Sequence, residues 1–346
     1  MVNDFMCYLK TTDTCQLNCR HCFTNGSNGK KGFFNVEKTI DFFHRLHTYN
    51  PNYDYGNIAF HGGEPMLAPV PMMREVWDGC KDLWPNLWWS VQTNLTYPLT
   101  DEKREFLKDI CTSGFGTSWD KNIRWTEQEQ ISLWERNVRT IIDEDKHDLT
   151  VMVCITADVV EMEPIEIIDY IANLGVKHVN FERLTPNGNA LMFPKLFARN
   201  ADMDKWFLKM WEQTVEHKAY EYIDNMFFDS ILTSFVYNTH AGCRCRQCEQ
   251  KILTINADGR IGGCPNSAVE NTFGTIDDDI HTLLNSEGRM CNIQAEAIRP
   301  PGCWTCNVFD ICNGDCHQLA WEGPVCPAPK SLMQELKYNQ DVPLFK

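Results

Sequence analysis

The sequence predicts an α/β fold built on a parallel sheet, followed by a second, cysteine-rich region. Two observations carry the first half. Up to about residue 200, six short apolar segments rich in β-branched and aromatic residues alternate with segments of helical periodicity. Six such units in succession imply parallel strands, in an open barrel or a doubly wound sheet. The third observation is a break in composition. Ten of the 17 cysteines fall between residues 243 and 326, among Gly, Pro and Asn. That stretch lacks the apolar residues for a core of its own, so metal is its expected organiser.

The predicted strands are Met6–Thr11, Asn57–His61, Trp88–Thr93, Phe115–Trp119, Leu149–Ile155 and His178–Glu182. Helices are expected between them. Asn35 caps one whose apolar face is Ile40, Phe43 and Leu46. Thr126 caps another over Glu127–Ile142, where Ile131, Trp134, Val138 and Ile141 recur at helical spacing. Pro164 in a first turn and Gly175 just past the end frame a third, Ile165–Leu174. Residues 201–240 read as helical and aromatic, with Trp206, Phe207, Met210, Trp211, Tyr220, Phe227 and Phe228 as a packing face between two domains. The expected divisions are 1–200, a connector at 201–240, the cysteine-rich domain at 241–330 and a tail at 331–346.

Composition narrows the class. The chain has 346 residues, and 17 cysteines cannot all pair internally. Cysteine at about 5% is under the level of a short disulfide scaffold. The N-terminus lacks the basic and apolar regions of a signal peptide. No run approaches the ~18 consecutive apolar residues of a membrane span. A cytoplasmic protein is expected, in which cysteines bind metal or do chemistry. Lys plus Arg is 32 and Asp plus Glu is 47, a formal charge of 32 − 47 = −15. That argues against nucleic acid as a partner. Asp143–Asp145 and Asp277–Asp279 read as solvated loops.

Cys15, Cys19 and Cys22 form C-x3-C-x2-C directly after the first strand. Three thiolates on one loop can hold three irons of a 4Fe-4S cluster and leave the fourth iron open. A zinc site with a distant fourth ligand is the alternative on spacing alone. His61-Gly62-Gly63-Glu64-Pro65 ends the second strand, where two glycines permit close backbone approach and Glu64 offers an acceptor.

In this order the two motifs resemble the radical S-adenosylmethionine (SAM) superfamily. The resemblance implies a cluster that chelates SAM at its open iron and reductively cleaves it to a 5′-deoxyadenosyl radical. It implies that Gly62, Gly63 and Glu64 receive the SAM amino group. His21 replaces the aromatic residue usual before the third cysteine. Gln92-Thr93-Asn94, Ser118-Trp119-Asp120 and Glu182-Arg183-Leu184-Thr185-Pro186-Asn187-Gly188 resemble later strand ends of these enzymes. Thr93, Asn94, Ser118, Asp120 and Arg183 are thereby implied as cofactor-binding, with Arg183 on the SAM carboxylate.

The second cysteine group begins at Cys248, followed by ten residues, Gly259, four residues and Cys264. Cys303-x2-Cys306-x5-Cys312-x3-Cys316 and then Cys326 follow. Alone, Cys303–Cys316 would read as a zinc knuckle. The whole pattern resembles the SPASM extension. With it the resemblance covers roughly residues 5–330 and implies a partial (β/α)6 barrel of TIM type with a C-terminal iron–sulfur SPASM lobe. It implies two auxiliary 4Fe-4S clusters, three clusters in all. One would use Cys243, Cys248, Cys264 and Cys316, with Cys245 as a possible substitute for Cys243. The other would use Cys303, Cys306, Cys312 and Cys326. A cluster closed by four cysteines suits electron transfer; a structural staple is the plainer alternative.

Six cysteines are left over. Cys7, Cys80, Cys111 and Cys154 read as small buried hydrophobes, while Cys245 and Cys291 could donate a hydrogen atom or ligate a cluster. No catalytic base stands out. The sulfatase-maturating relatives place Asp directly after the cysteine of G-x4-C, where this chain has Pro265 and then Asn266. Formylglycine formation is therefore not expected. The first strand begins near residue 5, so no leader-binding domain is expected in front of it. A separate leader-peptide-binding protein is a candidate partner. Flavodoxin or ferredoxin is the expected electron donor. The expected substrate is a peptide or protein side chain, to be oxidised, cross-linked or epimerised. Radical oxidation or rearrangement of a small molecule, such as a sugar or nucleoside, is the alternative. A zinc-stabilised binding protein without catalysis is the rival of another class.

Overall fold

The computed structural model describes residues 3–24, 26–267 and 271–339. Six parallel strands carry the N-terminal half: β1 (Asp4–Thr12), β2 (Tyr55–Gly62), β3 (Leu87–Val91), β4 (Phe115–Trp119), β5 (Leu149–Ile155) and β6 (His178–Arg183). All six predicted strands are present, and Phe115–Trp119 and Leu149–Ile155 match at both ends. Strands β1, β2 and β3 pair in one sheet, and β4, β5 and β6 in another. A single parallel bridge, Gln92 to Gly116, joins the two sheets. Predicted strand residues Gln92 and Thr93 thus fall beyond β3, and Gln92 serves as the link.

Four more strands were not expected. β7 (Asp224–Asn225) adds in parallel to β6. β8 (Ile252–Ile255), from the cysteine-rich region, lies parallel to β1 with Met6 opposite Ile252 and Leu9 opposite Ile255. β9 (Arg260–Gly262) and β10 (Gly274–Thr275) extend that edge with antiparallel pairing. The cysteine-rich region therefore shares the main sheet. Strand β8 covers the edge of β1, a strand whose Cys7, Leu9, Thr11 and Thr12 are wholly buried. Lys10 Nζ donates to Asn256 Oδ1 at 2.9 Å across this seam.

The helices follow their sequence signals with two adjustments. Asn35 caps Val36–Tyr49 as expected, its side chain accepting from Lys38 N at 2.9 Å. Phe42, Phe43 and Leu46 are buried there, with Ile40 partly so. The predicted cap Thr126 is displaced by one residue. Glu127 caps Gln128–Arg139 because Gln130 Oε1 reaches back to the amides of Thr126 and Glu127, closing a capping box. Pro164 opens Pro164–Ala172, and Gly175 follows at φ +89°.

The aromatic segment forms Asn200–Glu216 and Met226–Val236. Phe207 stacks on Phe227 at 4.4 Å between ring centres, and Trp206 meets Phe181 of β6. The segment expected as a tail begins with secondary structure. Lys330–Tyr338 is a helix that buries Leu332, Met333 and Leu336. Its first turn is tied to Asp204 by Ser331, through N at 2.8 Å and Oγ at 2.6 Å. Residues 340–346 lie outside the described residues. Among the described residues no helix is long and apolar enough to cross a membrane. None of the seventeen cysteines is paired in a disulfide.

Candidate functional site

The carboxyl ends of β1 to β6 open on one cavity of about 520 Å³. Ligands of parallel sheets bind at such ends. Cys15, Cys19 and Cys22 line it together with Gly62, Gly63, Glu64, Thr93, Asn94, Ser118, Asp120 and Arg183. The fold thus gathers the first cysteine motif and every residue expected to bind SAM around one space.

The cysteine loop is held from three sides. Cys15 N donates to Gly26 O at 3.2 Å, and Arg20 N to Ile123 O at 3.1 Å. From the loop after β6, Asn189 N donates to Cys22 O at 2.8 Å, and Asn189 Nδ2 to Cys19 O at 3.2 Å. Gly188 makes that approach possible. It sits at φ +51°, and a Cβ there would lie 2.4 Å from Cys22 O. Donors also reach the sulfurs. Leu17 N lies 3.3 Å from Cys15 Sγ, Thr24 N 3.4 Å from Cys22 Sγ and Asn94 Nδ2 3.5 Å from Cys15 Sγ. Burial nevertheless pushes Cys15 up to about 12 and Cys19 to about 11. These thiols ionise at neutral pH only with a metal or cluster at hand.

The two glycines at the end of β2, Gly62 within it and Gly63 just past it, approach protein backbone. A Cβ on Gly62, at φ +141°, would meet Thr12 O at 2.3 Å, and one on Gly63 would meet Thr14 O at 2.1 Å. Gly63 N and Glu64 N donate to Thr12 O and Thr14 O, docking this turn on the start of the cysteine loop. Buried Glu64 then accepts from Thr93 Oγ1 at 2.7 Å, Asn94 N at 2.7 Å and Met66 N at 3.0 Å. A carboxylate has about four acceptor positions, so one remains for a ligand. Ser118 Oγ accepts from Gln92 Nε2 at 3.1 Å.

Asp120 is buried beside Arg124, whose Nε donates to Oδ2 at 2.6 Å. Cys154 N donates to its Oδ1 at 3.0 Å, and His21 Nε2 lies 3.5 Å from Oδ2. Burial raises the Asp120 carboxyl, but Arg124 and His21 outweigh it and hold it below its usual value. Burial pushes His21 down to about 4, so its ring is neutral at pH 7.

Arg183 ends β6 on the cavity wall, and its guanidinium forks onto Asp315 of the cysteine-rich region, at 2.7 and 2.8 Å. Such a planar bidentate pair is the strongest use of a buried arginine. The buried cation beside the first cysteines is Arg124, which sequence reading passed over. Its one available signal was the Asp120-x3-Arg124 spacing. Tyr8, which was missed, also lines the cavity, as do His61 and Glu182, which stood in the sequence motifs without a role of their own. Burial raises Glu182 above the usual carboxylate value. Pro265 and Asn266 complete the cavity edge.

The later cysteines form two groups. Cys243 neighbours Cys316, and Cys245 neighbours Cys248. Cys264 lies within electrostatic reach of both Cys248 and Cys316. The contact with Cys316 belongs to Cys243; Cys245 is turned to Cys248. Buried Glu296 accepts from Cys248 N at 2.8 Å and Glu249 N at 2.9 Å, fixing this turn. In the second group, Cys303, Cys306, Cys312 and Cys326 surround a cavity of about 80 Å³. Its other walls include Val308, Phe309, Trp321 and Pro324, and no carboxylate or imidazole lines it. An all-thiol donor set in an apolar shell fits an iron–sulfur cluster or zinc.

This fold is that of the SPASM-type radical SAM enzymes. Among solved structures, anSMEcpe with bound AdoMet, an anaerobic sulfatase-maturating enzyme, aligns over 95% of both chains with a TM-score of 0.79 and 17% identity. Its complex with AdoMet and the Cp18Cys peptide gives 0.77 and 16% over 95% of this chain and 94% of that one. Streptococcus suis SuiB bound to precursor peptide SuiA gives 0.63 and 13% over 94% and 76%. At these identities the likeness is one of fold. A stretch of 106 residues, 30% of this chain, is 35% identical to an uncharacterized protein of Methanocaldococcus jannaschii. The match spans about a third of that relative, 34% of its length. No family model matches the chain.

Proposed function

We propose that this chain is a cytoplasmic radical SAM enzyme with a partial (β/α)6 barrel and a SPASM lobe. It abstracts hydrogen from a peptide or protein side chain, and the product is an oxidised, cross-linked or epimerised residue. One observation carries the reading. Cys15, Cys19 and Cys22 share a single cavity with Gly62–Glu64, Thr93, Asn94, Ser118 and Asp120. A cluster with an open iron and S-adenosylmethionine together supply a 5′-deoxyadenosyl radical.

The chain's own residues do the rest. Cys15, Cys19 and Cys22 hold the first cluster, with the amides of Leu17 and Thr24 and the Asn94 side chain turned to their sulfurs. Glu64 locks the ends of β2 and β3 together and keeps one acceptor position for the SAM ammonium. Arg124 and Arg183 both line the cavity as cations for the carboxylate, each also paired with a buried aspartate. Neutral His21 packs beside the cysteines. Tyr8, Phe23 and His61 wall the cavity and keep water from the reacting C–H. Cys243, Cys248, Cys264 and Cys316 hold one closed cluster, and Cys303, Cys306, Cys312 and Cys326 the other. Flavodoxin or ferredoxin delivers the electron, and a separate leader-binding protein presents the peptide.

The peptide class draws support from fold neighbours solved with the Cp18Cys peptide and with precursor peptide SuiA. A small-molecule substrate is the second reading, favoured by Pro265 and Asn266 at the cavity edge. Anaerobic reconstitution with iron and sulfide tests the reading. The expected protein is brown, binds about 12 irons in three cubane clusters, and releases 5′-deoxyadenosine from SAM and dithionite. A colourless protein that takes up zinc alone overturns it.

A further inference from the structure

Arg183 lies at the junction between the cavity and the first group of later cysteines. It ends β6 and touches the cavity wall. Its side chain is only 5% exposed, and that of Asp315 only 1%. Beyond the fork to Asp315, Arg183 Nη2 lies 3.6 Å from Cys243 Sγ, and Nη1 donates to Pro327 O at 3.2 Å. The carboxylate is placed as closely. Asp315 Oδ1 lies 3.2 Å from Cys243 Sγ and accepts from Cys316 N at 2.7 Å. Both charges therefore bear on Cys243 and Cys316, two of the four sulfurs read as ligands. The Phe227 ring lies 5.7 Å from the guanidinium carbon and helps exclude water. The remaining cations are Arg244, which lies near Asp315, and Arg246, whose Nη1 donates to Asp315 O at 2.8 Å.

We propose that Arg183 and Asp315 are positioning residues that set the electron affinity of the cluster held by Cys243, Cys248, Cys264 and Cys316. The proposal rests on the reading of those cysteines as ligands. Its physical basis is that charge and hydrogen bonds next to ligating sulfur tune a cluster's potential. A guanidinium N–H aimed at a ligating sulfur draws charge from it and favours the reduced cluster. A carboxylate at 3.2 Å repels added charge and favours the oxidised one. As a pair they nearly cancel, in a pocket that water does not screen. Removing one member must therefore shift the potential in the direction set by the other. The two single substitutions have opposite signs.

The experiment is an anaerobic redox titration followed by electron paramagnetic resonance. It uses the full reconstituted chain carrying Cys15→Ala, Cys19→Ala and Cys22→Ala, which leaves two cluster signals. Arg183→Gln is expected to lower the midpoint of one signal, and Asp315→Asn to raise the same one. The second signal should move less, since both charges reach the Cys312 sulfur only through space, whereas Cys243 Sγ is in direct contact with both side chains. Arg183→Lys keeps the charge and should shift the midpoint less than Arg183→Gln. Equal shifts of one sign, no shift, or loss of iron in all three variants would show a purely structural pair and overturn the proposal. A parent protein that binds only four irons overturns the ligand reading instead.

Discussion

Arg124→Met separates the buried Asp120 from its cation at nearly constant side-chain volume. Asp120 has a side-chain exposure of 2% and receives Arg124 through Nε at 2.6 Å and Nη2 at 2.5 Å. Breaking a buried pair by removing one partner costs about 3–5 kcal/mol, because the other charge stays buried. Cys154 N still donates to Oδ1 at 3.0 Å, which favours the lower end of that range. The expected loss is about 3 kcal/mol at pH 7. The double variant Asp120→Leu, Arg124→Met removes both charges and should recover to within about 1 kcal/mol of the parent. Anaerobic urea unfolding, followed by tryptophan fluorescence at matched iron content, measures both. The sign with pH is fixed. Asp120 titrates lower in the folded chain than its ordinary 3.8, so its stabilisation is present above 3.8 and is lost as pH falls through the folded value. The gap between parent and Arg124→Met must narrow toward acid. A variant as stable as the parent at pH 7, or a gap that widens toward acid, refutes the reasoning.

Three other outcomes are expected. Gly188→Ala forces a Cβ to 2.4 Å from Cys22 O at φ +51°, so the loop must shift. Iron analysis should show about four irons lost, with 5′-deoxyadenosine formation abolished and the later clusters kept. Cys303→Ala should likewise remove about four irons, whereas Cys291→Ala, at an exposed position of helix Glu287–Ala297, should remove none. Leu332→Ala empties a fully buried site in the C-terminal helix and should cost about 2–5 kcal/mol in the same unfolding assay.

Much of this was written in local sequence. Strands β4 and β5 are visible because both alternate cleanly between buried and partly exposed residues. The cysteine groups are visible because ligand spacing is a local property of the chain. What was missed is non-local. Strand β8 has four residues, Ile-Leu-Thr-Ile, and gains its identity only from β1, some 246 residues earlier in the Met6–Ile252 pair. The charge of Arg183 was legible, but its partner lies 132 residues away, and nothing near Arg183 marks Asp315. Arg124 was overlooked for the opposite reason. It follows a strand end in a short loop, where a cation is ordinarily solvated, and only the burial of Asp120 makes it matter. The C-terminal helix was passed over because residues 331–346 read only as a tail, and Leu332, Met333 and Leu336 show as a face only once the helix is folded.

The pairing of β8 with β1 also limits how the molecule moves. The strand that leads into Cys15 shares backbone hydrogen bonds with one that leads toward Cys264. The cysteine-rich region therefore cannot swing off the cavity as a lid without tearing a parallel ladder. The spacing between the first cysteine loop and Cys264 is then built into the sheet.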